Sequence, residues 1–313
     1  MQTQEHTVTV DDGTPLYVCH FAPDAAVPVR GVVHVAHGLA EHGVRYARFA
    51  EALTAAGYHV YANDHRGHGK TAQRDEDLGL FAEHGGWRRG IDDLIFHVRR
   101  ECGAHPGLPV VIFGHSMGSF MVQQLIAEHG ELFTAAILCG SNGRPDALAT
   151  AGRAIARVER ARLGPRGRSR LLNSLSFDGF NKPFRPNRTA FDWLSRDPAE
   201  VDRYVADPRC GFIATNSLFV DLVDALPELS RPALQARIPK NLPVFIVAGA
   251  EDPVSRRTAG LQQLLRAYRV AGLTNVSHRF YPGARHEILN ETNRDEVTRD
   301  IVAWIEANTP KPT

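Results

Sequence analysis

Cysteine is sparse. The 313 residues hold four, Cys19, Cys102, Cys139 and Cys210, set far apart and never as a C-x-x-C pair. That spacing suggests neither a disulfide framework nor a zinc site, and it fits a reducing compartment. An excess of one charge is also lacking. The 36 Lys and Arg residues offset 35 Asp and Glu, leaving a formal net charge of +1. Such a balance draws the chain neither to nucleic acid nor, globally, to a membrane, and no nucleic-acid partner is expected. No stretch approaches the roughly 18 apolar residues that cross a bilayer. The opening Met-Gln-Thr-Gln-Glu-His lacks a basic region followed by an apolar one. No signal peptide is expected, and the expected location is cytoplasmic. Internal repeats and low-complexity tracts are missing too. What remains is ordinary globular composition, 43% hydrophobic and 23% charged, in a chain long enough for one large α/β domain with or without an insertion.

The chain is organised around Leu108-Pro109-Val110-Val111-Ile112-Phe113-Gly114-His115-Ser116-Met117-Gly118. An apolar run of strand length leads into Gly-x-Ser-x-Gly, and a helical pattern from about Met117 to His129 follows at once. That context turns a common pentapeptide into a nucleophile elbow. A tight, strained turn lifts Ser116 above the sheet edge. Gly114 and Gly118 let strand and helix approach each other. The helix aims its free N–H groups and positive dipole end at the same point, which suits a developing oxyanion.

Before the elbow, Thr7 to Val10 and Leu16 to Phe21 flank an Asp-Asp-Gly turn and read as a β-hairpin. Strands are predicted at 30–36, 58–62, 108–113, 135–138, 242–248 and 276–281. Amphipathic helices are predicted at about 46–56, 87–102, 117–129, 257–270 and 294–307. The alternation predicts a mostly parallel sheet, its strands buried on both sides by helices. Ligands bind such sheets beyond the carboxyl ends of the strands, where the loops 37–42, 63–69 and 114–118 gather. From about Ser141 to Ile238 the rhythm breaks into Arg- and Pro-rich short helical patterns, too long for a plain loop. Residues 1–140 and 239–313 therefore read as two parts of one core, and 141–238 as a helical cap inserted over the active-site edge.

A nucleophilic serine needs a base, and the base needs an orienting carboxylate. In this strand order the partners follow as acid, then histidine. Asp252 follows the strand ending at Ala248 and is taken as the acid; Glu251, its rival, needs a different reach. His286 follows the strand ending at Tyr281 and is taken as the base. Its place, not its identity, singles it out among 15 histidines. His115, one residue from Ser116 along the strand, is assigned to packing on the opposite face. The oxyanion donors are expected to be the backbone N–H groups of Leu39 and Met117. His65 and His68 in the loop Asp64 to Gly69 are read as parts of a structural turn rather than as metal ligands. No metal and no cofactor are expected. The run Arg153, Arg157, Arg160, Arg162, Arg166, Arg168 and Arg170, with Glu159 its one acid, reads as a solvated helix face, or else as a basic surface for anionic lipid head groups. Leu171, Leu172, Leu175, Phe177 and Phe180 either line an acyl tunnel or pack the insertion onto the core.

Taken together, His37-Gly38-Leu39-Ala40-Glu41-His42, Asp64-His65-Arg66-Gly67-His68-Gly69, Gly114-His115-Ser116-Met117-Gly118, Gly249-Ala250-Glu251-Asp252 and His286 resemble the monoacylglycerol lipase and lysophospholipase family of α/β-hydrolases, often labelled serine aminopeptidase S33. Asn181 to Phe184, Phe191 to Asp197 and Asp207 to Phe212 look like the cap of its bacterial lysophospholipase-like members. The likeness runs from about Gly31 to Trp304. It implies an α/β-hydrolase fold and a serine carboxylester hydrolase acting on single-chain lipids or small acyl esters. It implies Ser116, Asp252 and His286 as the triad and Leu39 and Met117 as oxyanion donors. The implied partner is a small acyl ester or single-chain lipid, with transient membrane-surface contact through the cap; oligomeric state stays open. An amidase or aminopeptidase with the same triad is the rival enzyme. It needs carboxylates near the pocket, for which Asp178, Asp192, Asp221 and Asp224 are candidates. A non-catalytic α/β-hydrolase-like binding protein is the rival from another class, although this chain keeps all three triad positions.

Overall fold

The computed structural model describes residues 1–145 and 147–310. The chain begins with an antiparallel hairpin of β1 (Gln2–Thr9) and β2 (Pro15–Ala22). Then come β3 (Gly31–Ala36), α1 (Ala47–Ala55), β4 (Tyr58–Asn63), α2 (Gly86–Ala104), β5 (Val110–His115), α3 (Met117–Glu128) and β6 (Ala135–Cys139). A helical stretch follows with α4 (Ala147–Leu163), α5 (Arg170–Asn173), α6 (Pro198–Ala206), α7 (Asn216–Leu229) and α8 (Pro232–Gln235). The chain closes with β7 (Val244–Gly249), α9 (Ala259–Val270), β8 (Val276–Tyr281) and α10 (Arg294–Asn308).

The eight strands form one sheet in the order β1-β2-β4-β3-β5-β6-β7-β8. The β1–β2 and β2–β4 pairs are antiparallel and the rest parallel. Every residue of β3, β5, β6 and β7 is buried, because helices cover both faces. Ile91 and Leu94 of α2 pack with Met121 and Leu125 of α3 on one side. Phe49 and Leu53 of α1 pack with Ile301 and Ile305 of α10 on the other. This is the α/β-hydrolase architecture.

Two edges differ from expectation. β1 starts at Gln2 rather than at Thr7, and its register runs from Gln2 opposite Ala22 to Thr9 opposite Pro15. Gln2 to Glu5 are exposed, so ladder hydrogen bonds and not an apolar pattern place them. β8, at the other edge, exposes His278 and Arg279 and is not buried on both sides.

Between β6 and β7 no strand occurs among the described residues. α4 packs on α7, and α7 on α2, which fastens this stretch to the core. The arginine run is spent largely on that fastening. Arg153 and Arg157 pair with Asp224, at 2.8 and 3.0 Å. Arg166 reaches Asp77 and Glu83, Arg160 the Glu83 carbonyl, and Arg168 the Ile213 carbonyl. Arg162 closes on Glu159 within its own helix. Segment 75–84 and Asp224 thus pair much of this positive charge at the surface, where Arg157, Arg162 and Arg166 stay exposed, so the run is a solvated face whose charge is largely partnered.

Candidate active site

The elbow is a backbone event. Ser116 sits at φ 50° and ψ −119° between β5 and α3, a conformation costing a serine on the order of 1–3 kcal/mol. Its N–H donates to the Cys139 carbonyl of β6 at 2.9 Å. A Cβ on Gly114 would stand 2.6 Å from the Gly118 carbonyl oxygen, and a Cβ on Gly118 would overlap the carbonyl of Ala36. Helix α3 therefore presses on both β5 and β3, and only glycine fits at either position.

The same turn ends strand alternation, so His115 is not turned away from the site. Its ring centroid lies 4.7 Å from that of His286. Burial, reinforced by the neighbouring His286, pushes its pKa down to about 3. His115 is thus a neutral ring beside His286.

Asp252 and His286 leave the sheet after β7 and β8. His286 Nδ1 lies 3.0 Å from Asp252 Oδ1, and both residues are buried. Burial alone would hold His286 below the usual imidazole value. The Asp252 carboxylate, through its charge and this hydrogen bond, raises it above instead. With Nδ1–H donated to Asp252, Nε2 is the free acceptor. Asp252 Oδ1 also accepts from the Val254 N–H at 2.9 Å. Glu251, the rival acid, pairs with Arg257 instead.

Ser116 and His286 line one cavity of about 120 Å³ together with Gly38, Leu39 and Ala40. Among the described residues, the hydrogen bond within the trio is the one between His286 and Asp252. The far wall comes from the stretch between β6 and β7: Phe177, Phe191, Trp193, Leu194, Tyr204 and Phe212. The Trp193 ring centroid is 5.1 Å from that of His286, and the Leu194 carbonyl accepts from the Glu287 N–H at 2.7 Å. Gly38 lies so near the elbow that a Cβ there would stand 3.2 Å from Ser116 Cβ. Leu39 follows at the cavity wall, and Met117 opens α3. The loop is held from outside as well. Ala40, at φ 55°, accepts through its carbonyl from the Gly211 N–H at 3.0 Å and the Tyr204 hydroxyl at 2.9 Å.

The family model described as Serine aminopeptidase, S33 matches residues 27–293. The chain belongs to that family. A monoacylglycerol lipase of Mycolicibacterium smegmatis is 30% identical to it over 302 residues, 96% of each chain. The monoglyceride lipase of Homo sapiens is 25% identical, over 98% of this chain and 92% of its own. In three dimensions the chain is similar to a highly thermostable carboxyl esterase from Bacillus coagulans. The TM-score is 0.89 at 27% identity, over 98% of this chain and 99% of that one. The protein is thus a serine hydrolase of the monoacylglycerol lipase-like kind.

Behind the site this S33 hydrolase carries a buried charge network that the sequence reading did not find. Glu41 Oε1 accepts from the Gly38 N–H at 2.6 Å and from the Tyr46 hydroxyl at 2.9 Å. Arg45 spans Glu41, at 2.6 Å, and Glu287, at 2.7 Å. Burial would raise the Glu287 pKa, but the Arg45 guanidinium keeps it below the usual carboxylate range. The Glu41–Arg45 spacing of i, i+4 was the available signal; nothing in the sequence brings Glu287 to the same place. Replacing Arg45 by methionine leaves two buried carboxylates without their cation. We expect a loss of about 3–5 kcal/mol, read from urea unfolding followed by circular dichroism.

The loop after β4 is a structural turn. Asp64 accepts from the Gly43 N–H at 2.7 Å and the Lys70 N–H at 2.6 Å. The His65 N–H donates to His37 Nε2 at 3.0 Å, and His65 Nε2 to the His37 carbonyl at 3.1 Å. Burial pushes His65 down to about 3 and His68 to about 4, so both are neutral rings within this turn. Of the carboxylates weighed for an aminopeptidase, Asp178 lines the cavity. Asp192 holds the N–H groups of Arg188 and Thr189, Asp221 the N–H of Trp87, and Asp224 the arginines of α4.

Proposed function

We propose that this hydrolase cleaves monoacylglycerols or other single-chain acyl esters through Ser116, His286 and Asp252. Ser116 attacks the ester carbonyl and His286 Nε2 takes its proton. Asp252 fixes the imidazole tautomer and stabilises the imidazolium. The N–H groups of Leu39 and Met117 receive the oxyanion of the tetrahedral intermediate. His286 returns the proton to the leaving alcohol, then activates water to release the acid from Ser116. The supporting observation is the His286–Asp252 pair opening onto the cavity that the strained Ser116 also faces. In apo sites the hydroxyl–imidazole hydrogen bond often tightens only with substrate.

On this reading residues 141–238 act as a cap, and their aromatic wall takes the acyl chain. Val158, Leu163, Leu171 and Leu175 are exposed on the cap and suit brief contact with the lipid surface that supplies substrate. No helix among the described residues is long and apolar enough to cross a membrane. Cysteines 19, 102, 139 and 210 are unpaired, which suits a reducing, cytoplasmic setting.

A panel of monoacylglycerols, lysophospholipids, p-nitrophenyl esters and aminoacyl p-nitroanilides tests the reading. Single-chain esters should turn over orders of magnitude faster than the anilides. Faster cleavage of the anilides would transfer the site to the aminopeptidase reading.

A further inference from the structure

Away from the cavity, the sheet face under the C-terminal half of α2 collects histidines. His34 is bound to Glu101 of α2 at 2.8 Å. Beside this pair lies an open cavity of about 380 Å³, lined in part by His6, His20, Tyr61, His97 and Arg100. At its margin three imidazoles meet. His20 Nε2 of β2 is 3.0 Å from His59 Nδ1 of β4. The His105 ring, just past α2, has its centroid 4.2 Å from that of His59 and 6.3 Å from that of His20. One ring nitrogen from each residue lies within 4.8 Å of the other two.

We propose that His20, His59 and His105 together bind one divalent transition-metal ion of the zinc type. Tetrahedral zinc with Zn–N bonds of about 2.0–2.1 Å sets its ligand nitrogens about 3.3–3.4 Å apart. Small ring rotations convert the observed spacing into that one. A three-imidazole set leaves the fourth position to water, as open zinc sites do, and all three rings are partly solvent-exposed.

The surroundings favour ligation. The Tyr61 hydroxyl lies 2.8 Å from His105 Nε2, and the Tyr61 ring stacks on His20 at 4.1 Å. Tyr61 orients two of the three ligands, as outer partners of metal sites do.

His59 lies at the start of β4, whereas Ser116 stands at the carboxyl rim of the parallel strands. The ion would pin β2, β4 and the turn after α2 without touching the ester chemistry. Ligand-spacing rules miss it because its residues are scattered over three separate elements. A second group, His42, Asp207 and Cys210, has comparable spacing, but its Cys210 is buried, so it is less open to an entering ion than the three partly exposed rings. It serves as the control.

The test uses the full chain without an affinity tag, stripped with chelator and titrated with Co²⁺. One equivalent should bind with the visible absorption of a four-coordinate ion, Zn²⁺ should displace it, and Zn²⁺ should raise the melting temperature. His20→Asn, His59→Gln and His105→Gln should each weaken binding by more than about 100-fold, and Tyr61→Phe by about 10-fold. Metal-free ester hydrolysis should stay at the wild-type level in each. If a strand variant fails to fold, His105→Gln, past the end of α2, decides. No binding at millimolar Co²⁺, binding that survives all three histidine changes, or binding lost on Cys210→Ser would each overturn the proposal.

Discussion

Ser116→Ala should lower kcat for ester hydrolysis by about 10⁶-fold, the loss seen when a triad nucleophile is removed. Labelling by a fluorophosphonate should vanish with it. The fold should survive, because alanine at φ 50° stores much the same backbone strain as serine, and the hydrogen bond from this position to Cys139 comes from the backbone. Circular dichroism and the melting temperature check the fold, and turnover of a p-nitrophenyl ester checks the chemistry. An alanine variant that still turns over the ester at the wild-type rate would remove Ser116 from the mechanism.

Asp252→Asn should be the next most damaging change, about 10⁴-fold in kcat. The amide is nearly the same shape, so packing at this buried position changes little. What changes is the imidazole. An asparagine can present a donor to Nδ1 and favour the wrong tautomer, and it withdraws the negative charge. Burial then acts on His286 with far less opposition, so its pKa should fall from above the ordinary histidine value to below it. The sign for activity is set by the need for a neutral base. Wild-type kcat/KM should fall as pH drops through the raised pKa of His286, and in the variant this acid limb should move to lower pH. A limb that stays in place would assign the titration to another group.

The parts of the site legible in the sequence are those tied to strand ends. Ser116, Asp252 and His286 each follow a strand of the parallel part of the sheet, buried for the first two and an exposed edge for His286, and parallel strands carry whatever follows them to one rim. The central strands were equally legible, because β-branched runs between amphipathic helices have few other packings. The start of β1 was not, since an exposed edge is held by its ladder and Gln2 to Glu5 show no apolar pattern. His115 was misplaced because alternation was carried one residue too far, into a turn with positive φ. The Glu41–Arg45–Glu287 network joins residues 242 positions apart, and sequence order contains nothing that pairs them. The arginine run shows the same limit. Seven like charges look largely unpartnered until Asp77, Glu83 and Asp224 arrive from other elements.

The Ala40 carbonyl takes hydrogen bonds from both Tyr204 and Gly211. The loop bearing Leu39 is therefore tethered to the stretch that walls the cavity, the one proposed above as a cap. A lid that swings clear by dropping those two bonds would slacken the amide meant to catch the oxyanion. Admission and chemistry would then alternate, as in an airlock, and turnover would run at the tempo of re-latching rather than of bond cleavage.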